Sequence, residues 1–430
     1  MAGQLKVNGV TLATEESGTV TLEAPQIKDS SNNVILDQSG TNPVLKNVEV
    51  VNNSSMMFRN RIINGAMQIN QRGSTAVSAG TDNVYSVDRF NVGTAGGTAT
   101  YTLNNAAEVP SGSGFAKSFH LDVSTADVSM DTSDGYYLRY KFEGQDLQFL
   151  CKGTSNTKNV TLSFWVKSPK AGIHIVELFD SDNTRHISKS YNVAVANTWQ
   201  KVSLNFTGDT TGAFDNDNQL SLIINWWLAA GTNFTSGTLN TSWNAYTAAN
   251  RAVGQVNIMD STSNNFYITG VQLEEGTVAT QFEHRPIGTE LALCQRYFQS
   301  VQMNGIFLHP YHTTHALVNC PLFVPLRKAS SVSISKTARV LRLTTQGVLD
   351  YWIDSTGGAQ FSGSGDWGAN LYIDSPSNRD DTLSHLGLRF NKSGSTNFPD
   401  QEPIQITGVV NSTNDGLDSN GGYFDIECEL

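Results

Sequence analysis

Charge is what this chain is short of. Only 16% of its 430 residues are Asp, Glu, Lys or Arg, against roughly 25% in an ordinary soluble domain. The net charge is −11, and the densest basic stretch, Lys328 to Arg342, is broken up by Ser and apolar residues. Phosphate recognition needs clustered Lys and Arg, so nucleic acid is excluded as a partner. Cysteine is also scarce. Cys151, Cys294, Cys320 and Cys428 are far apart, with no CxxC pair. That spacing suits neither a zinc site nor a dense disulfide framework, and free thiols are expected. No apolar run approaches the roughly 18 residues of a membrane span. Met1 to Lys6 offers no apolar leader core, so neither Sec export nor membrane insertion is expected. Sequons such as those at Asn159 and Asn205 then reflect composition rather than glycosylation.

Asn, Ser, Thr and 37 glycines take the place of charge. These residues favour turns and exposed strand faces and disfavour helix interiors. With 39% hydrophobic residues the chain can bury a core, and its length calls for two or three domains. The expectation is an all-β protein with many tight turns.

Four regions follow from changes in texture. Residues 1–58 hold short alternating runs, Leu5-Lys6-Val7 and Thr19-Val20-Thr21-Leu22, and no Trp, Tyr or Phe before Phe58. A segment so poor in large apolar side chains is marginal alone. It would bury surface against copies of itself or another protein, or else be a flexible arm. Residues 59–285 read as a β-sandwich or jelly roll. Strands are expected at Asn159 to Ser168, Ile173 to Phe179, Trp199 to Phe206, Gln219 to Trp227 and Asn265 to Leu273. Pro286 ends that domain, and 286–300 reads as a short linker helix. Thr289 is its cap, with Leu291, Cys294, Tyr297 and Phe298 at helical spacing. Residues 301–430 read as a distal β-sandwich domain, ending in the strand-like Gly422 to Leu430.

Three pieces carry a resemblance. They are Arg61-Ile62-Ile63-Asn64-Gly65-Ala66-Met67-Gln68-Ile69-Asn70-Gln71-Arg72-Gly73 with Tyr85-Ser86-Val87-Asp88-Arg89-Phe90; the strands Phe164 to Ser168 and Thr198 to Val202; and Val271-Gln272-Leu273-Glu274 through Tyr297-Phe298. Together they resemble the carbohydrate-binding-module-like jelly roll of bacteriophage tail fibres, or receptor-binding proteins. The start, Gly3 to Val10, is similar to fibre N-termini that attach to the virion. The resemblance implies a homotrimer in the virion. Its 1–58 segment would bind a phage tail or baseplate protein, and its distal domain a host-surface glycan. This is analogy, and function has to be argued from a site.

No nucleophile motif stands out in the chain. There is no GxSxG nucleophile elbow, no HExxH and no β-helix repeat. The acid pairs Asp180/Asp182, Glu274/Glu275 and Asp380/Asp381 read as turn-like or exposed. The chain was therefore expected not to be an enzyme, with a polysaccharide depolymerase or a purely structural fibre as rivals. No cofactor and no metal is expected. Asp215-Asn216-Asp217-Asn218 reads as an Asx turn rather than a calcium loop, and His309, His312 and His315 as surface histidines. Sugars stack on exposed aromatic faces. Trp165 and Trp199 read as core, and one of Trp226 and Trp227 as exposed. The glycan-binding candidates are the loop aromatics Trp243, Tyr246, Trp352, Trp367 and Tyr372.

Overall fold

A computed structural model describes residues 58–300, with Phe323 and Val324, including their side chains; elsewhere it gives the backbone of the strands alone. Two compact units result, Met1–Phe58 and Arg59–Leu430. In the first, Gly3–Val7, Val10–Glu16 and Thr19–Leu22 pair antiparallel, and Gln26–Lys28, Val34–Asp37 and Val44–Leu45 form a second small sheet.

The second unit carries the all-β sandwich expected from the sequence, with jelly-roll connectivity. One sheet has six strands, in spatial order Gln200–Phe206, Val160–Lys167, Asn265–Glu275, Ser118–Thr125, Thr100–Ala106 and Thr75–Val77. The other has seven: Asn244–Ala245, Arg185–Val193, Gly172–Asp180, Leu220–Ala230, Gly135–Glu143, Phe90–Ala95 and Val84–Tyr85. Every pairing in both is antiparallel. Period-2 alternation sends Leu162, Phe164 and Val166 inward from one sheet, to meet Leu222, Ile224, Trp226, Leu138 and Tyr140 from the other. Phe164 packs edge-on against Trp226 with ring centroids 6.0 Å apart. Burying each such side chain stabilises the fold by about 1.5–3 kcal/mol.

The alternation breaks once in the closing strand. Phe266 and Ile268 face inward, then Val271 and Leu273 do, because the register slips opposite Ser163 and Trp165. Gly270 absorbs the extra residue at φ 61°, where a Cβ would strike the Phe115 ring. The bulge is clamped from the start of the domain. Asn60 accepts the Ile62 and Leu273 amides at 2.9 and 3.1 Å and donates to Val271 O. Gly65 O accepts the Val271 amide at 2.9 Å.

The helix spans Ile287–Gln295. Pro286, not Thr289, stands at its cap: proline's fixed φ suits the turn, while Thr289 already sits inside the first turn and donates its amide to Pro286 O. Cys294, Tyr297 and Phe298 are buried, and Leu291 is half-buried. The Arg89 guanidinium lies 3.4 Å from the centroid of the Tyr297 ring, and that of Arg72 lies 3.8 Å from the Phe298 centroid. Arg296 forks onto Glu143 at 2.9 and 2.7 Å. Downstream, Phe298–Gln302 pairs with Tyr423–Glu427, and a seven-stranded antiparallel sheet includes His315–Arg327 and Thr382–Asn391.

Two glycines test this clamp against helix propensity. A Cβ on Gly65 would come within 2.1 Å of Val271 O, whereas one on Gly288 meets nothing within 4 Å. Gly65→Ala is expected to cost about 2–3 kcal/mol in urea unfolding. Gly288→Ala is expected to be neutral or to stabilise by up to about 1 kcal/mol.

Candidate functional site

The outer face of the seven-stranded sheet is not a plain solvated surface. Cross-strand neighbours share a face, so the registers place Ser188, Glu177, Asn225, Arg139 and Asn91 in one row across it. His186, Phe179, Ile223 and Lys141 form the next row, and Ile175, Trp227 and Tyr137 lie on the other side. Residues 231–258 fold over one end of this face. The edge strand Asn244–Ala245 pairs with Arg185 and His186, the Ser188 amide donates to Asn240 O, and the Ser188 hydroxyl donates to Arg251 O.

Glu177 holds this arrangement together. Its side chain is fully buried, yet it is charged and saturated. Arg251 donates Nε to Oε1 and Nη2 to Oε2, both at 2.8 Å. Asn225 Nδ2 and Trp227 Nε1 donate to Oε2 at 3.0 and 3.3 Å. His186 Nδ1 lies 3.1 Å from Oε1, while its Nε2 lies 2.6 Å from Asn240 Nδ2. An amide N–H can only donate, so this network assigns the tautomer with the proton on Nδ1. Burial alone would raise the Glu177 carboxyl; the Arg251 charge and the hydrogen bonds from His186 and Arg251 outweigh it and bring the pKa down to about 2. Rings of Trp227, Tyr246, Phe234 and Phe179 surround the Arg251 guanidinium at 4.9, 5.3, 5.7 and 5.9 Å.

Above this floor lies an open cleft of about 250 Å³, lined by Tyr137, Arg139, Phe179, Thr184, Ile223, Asn225, Tyr246 and Arg251. Tyr246 is 39% exposed. Asn225 is 97% buried by contrast, at 3% relative exposure, and among the described residues its Oδ1 has no hydrogen-bond donor. A buried acceptor left open costs about 1–3 kcal/mol, which a ligand hydroxyl can recover. Arg251 Nη1, 3.5 Å from the Tyr246 hydroxyl, supplies a donor in the same cleft. Aromatic walls with an open acceptor and donor at the floor are what a polyhydroxylated ring requires.

The sequence candidates are distributed unevenly over this geometry. Tyr246 reaches the cleft. Trp243 does not: it is half-buried, donates Nε1 to Thr207 O at 2.8 Å, and faces the Lys152 ammonium. Trp352 and Tyr372, read as loop aromatics, stand instead on the strands Gly347–Ile353 and Leu371–Asp374, whose backbone alone is described, and the same holds for His309, His312, His315 and Cys320 on Phe307–His312 and His315–Arg327. Trp367, Cys428 and Asp380/Asp381 lie outside the described residues. Trp165 and Trp199 are not core; both are half-buried, and Trp165 stands on the outer face of the six-stranded sheet opposite Lys201 and Thr269. Neither tryptophan of the pair 226–227 is exposed, because Phe234 and Arg251 cover Trp227. Two of the supposedly exposed acids are buried ion-pair partners. Asp180 binds Lys152, which also meets Asp209 and the carbonyls of Thr211 and Gly212. Glu274 accepts the Thr280 amide and hydroxyl. Asp217 Oδ1 accepts the Gln219 amide, an Asx turn. Cys151 is exposed and Cys294 buried, and among the described residues the two do not form a disulfide. Sequence reading missed Tyr137, Arg139, Glu177 and Arg251; the one available signal was a glutamate between Ile175 and Phe179 on a strand face that otherwise reads as apolar.

Neither a protein-family model nor a curated protein sequence matches the chain. Solved structures do. One is the enzymatically active domain of tailspike protein 4 from bacteriophage CBA120, at 15% identity and TM-score 0.27. The match covers 51% of this chain and 22% of that one, so this chain spans about a fifth of the tailspike's length. A family 11 carbohydrate-binding module of a Clostridium thermocellum cellulosomal cellulase matches at 12% identity and TM-score 0.25, over 48% of this chain and 97% of the module. An exo-beta-agarase matches at 9% identity and TM-score 0.26, over 70% and 43%. The expectation of a non-enzyme is corrected by these neighbours, two of which are enzymes. That expectation rested on missing linear motifs, whereas glycoside cleavage needs two carboxylates that no linear motif marks. Among the described residues no helix is long and apolar enough to cross a membrane.

The floor makes a pH prediction. Because folding depresses the Glu177 pKa from the ordinary 4.5 to about 2, its contribution is fully present above about pH 4.5 and is lost as pH falls toward 2, at most about 3 kcal/mol. Glu177→Gln strands a buried guanidinium and is expected to cost about 3–5 kcal/mol at pH 7. Its stability should fall less steeply than wild type between pH 4.5 and 2, as followed by chemical denaturation.

Proposed function

We propose that this chain is a glycan-binding subunit of a phage tail fibre, and that the middle sandwich holds the glycan in the cleft on its seven-stranded sheet. The observation that carries this is the buried Oδ1 of Asn225, without a donor among the described residues, on a residue that lines the cleft with the aromatic walls of Tyr137, Phe179 and Tyr246. A pyranose stacking on an aromatic face brings hydroxyls that both donate and accept. Asn225 Oδ1 takes a donated hydrogen and Arg251 Nη1 gives one.

The fibre reading draws its support from the motifs at 61–73, 85–90 and 271–298. In it the subunit is a homotrimer in the virion, the 1–58 segment docks on the tail or baseplate, and 301–430 forms the distal receptor-binding domain. Three copies would turn weak sugar contacts into firm attachment to the host surface through avidity.

Affinity electrophoresis through gels containing isolated lipopolysaccharide or capsular polysaccharide tests the cleft. Tyr246→Ala and Phe179→Ala should each weaken retardation by about tenfold or more, because each removes a stacking wall. Retardation unchanged in both variants would move binding out of the cleft. The same incubations are read for released reducing ends, whose appearance would make the chain a depolymerase. Light scattering on the full chain should give the mass of three copies; a monomer would contradict the fibre reading.

A further inference from the structure

The cleft carries a group that a neutral sugar does not need. Arg139 lies flat across the sheet, its guanidinium 4.3 Å from the centroid of the Tyr137 ring. It can do so because residue 93 is glycine, where a Cβ would meet Arg139 Nη2 at 1.9 Å. Among the described residues Arg139 makes one hydrogen bond, from Nη2 to Asp82 Oδ1 at 2.9 Å. Its guanidinium offers five donors in a planar fork that matches a carboxylate at two points.

Asp82 meets that fork at one point. It is 51% exposed, its Oδ1 also accepts the Thr94 amide, and it sits in a surface turn with Gly80 and Asn83 at positive φ. A surface ion pair of this kind contributes about 0–1 kcal/mol, little enough for a second carboxylate to displace.

We infer that the cleft recognises an acidic glycan, with Arg139 forking onto a sugar carboxylate and Asp82 occupying that position in the empty protein. This rests on the glycan-binding reading of the same cleft. The hydroxyl partners stay at Asn225 and Arg251, so Arg139 reads charge while the floor reads the ring.

The test is paired. Full-length protein is titrated with a panel of uronic-acid polysaccharides (polygalacturonate, alginate, hyaluronan, isolated uronate-bearing capsules) and with the carboxyl-reduced form of each. The expected result is at least one acidic member bound tenfold or more tightly than its reduced form. Arg139→Gln should erase that preference, and Arg139→Lys should retain part of it. Asp82→Asn should tighten acidic binding several-fold. Circular dichroism and thermal midpoints confirm that these surface variants fold. No acidic member bound better than its reduced form overturns the inference, as does a preference that survives in Arg139→Gln. If neutral forms bind equally well and Tyr246→Ala abolishes that binding, the charge inference falls and the cleft reading stands. If binding ignores Tyr246→Ala, both fall.

Discussion

A buried carboxylate on the outside of a β-sheet has to be paid for by its surroundings, and Glu177 organises them. Without Arg251 it would be a desolvated charge between Ile175 and Phe179 on the face of its strand. With Arg251 it pulls residue 251 onto the sheet, and the chain from 231 to 258 follows. Phe234 then covers Trp227, Tyr246 stands beside Phe179, and a half-open cleft replaces what would be a flat surface. The site is thus a by-product of satisfying one charge. It leaves over one acceptor, Asn225 Oδ1, whose Nδ2 is committed to the same carboxylate.

A second constraint keeps the sheets fixed beneath it. The chain enters the sandwich through Asn60 and Asn64 and leaves it through Tyr297 and Phe298, and the two ends lock. Asn64 bonds Ile69 in both directions and donates to Asp88 O. Asp88 holds the Gln71 amide, and Gln71 Nε2 donates to Phe298 O. Arg89 is buried over Tyr297 while donating to Lys141 O. Two of the three pieces that carry the resemblance, 61–73 with 85–90 and 271–298, are therefore those that close the domain. They leave the outer face of the seven-stranded sheet free to differ.

This separates what the sequence made legible from what it did not. The strands at 160–167, 172–180, 200–206, 220–230 and 265–275 were readable because their inward faces alternate, with the one break in 265–275 confined to the bulge at Gly270. The 185–193 strand was not, since His186 and Ser188 on its outer face serve the 231–258 segment, so no apolar alternation marks it. Tyr246 was found because it lies in a polar stretch. Glu177 and Arg251 escaped because they are 74 residues apart and nothing local marks either one. Trp165, Trp199 and Trp227 show a related limit: alternation tells which residues share a face, but not what later covers that face.

The most direct test of the account is hydrogen–deuterium exchange of the full-length protein with and without a host-surface polysaccharide that it retains. Binding in the cleft predicts slowed exchange in peptides covering 135–143, 172–180 and 244–251. Peptides on the opposite sheet, such as 160–167 and 200–206, should be unaffected. Protection confined to residues 301–430, with these segments unchanged, would contradict the claim that the sandwich cleft is where the glycan sits.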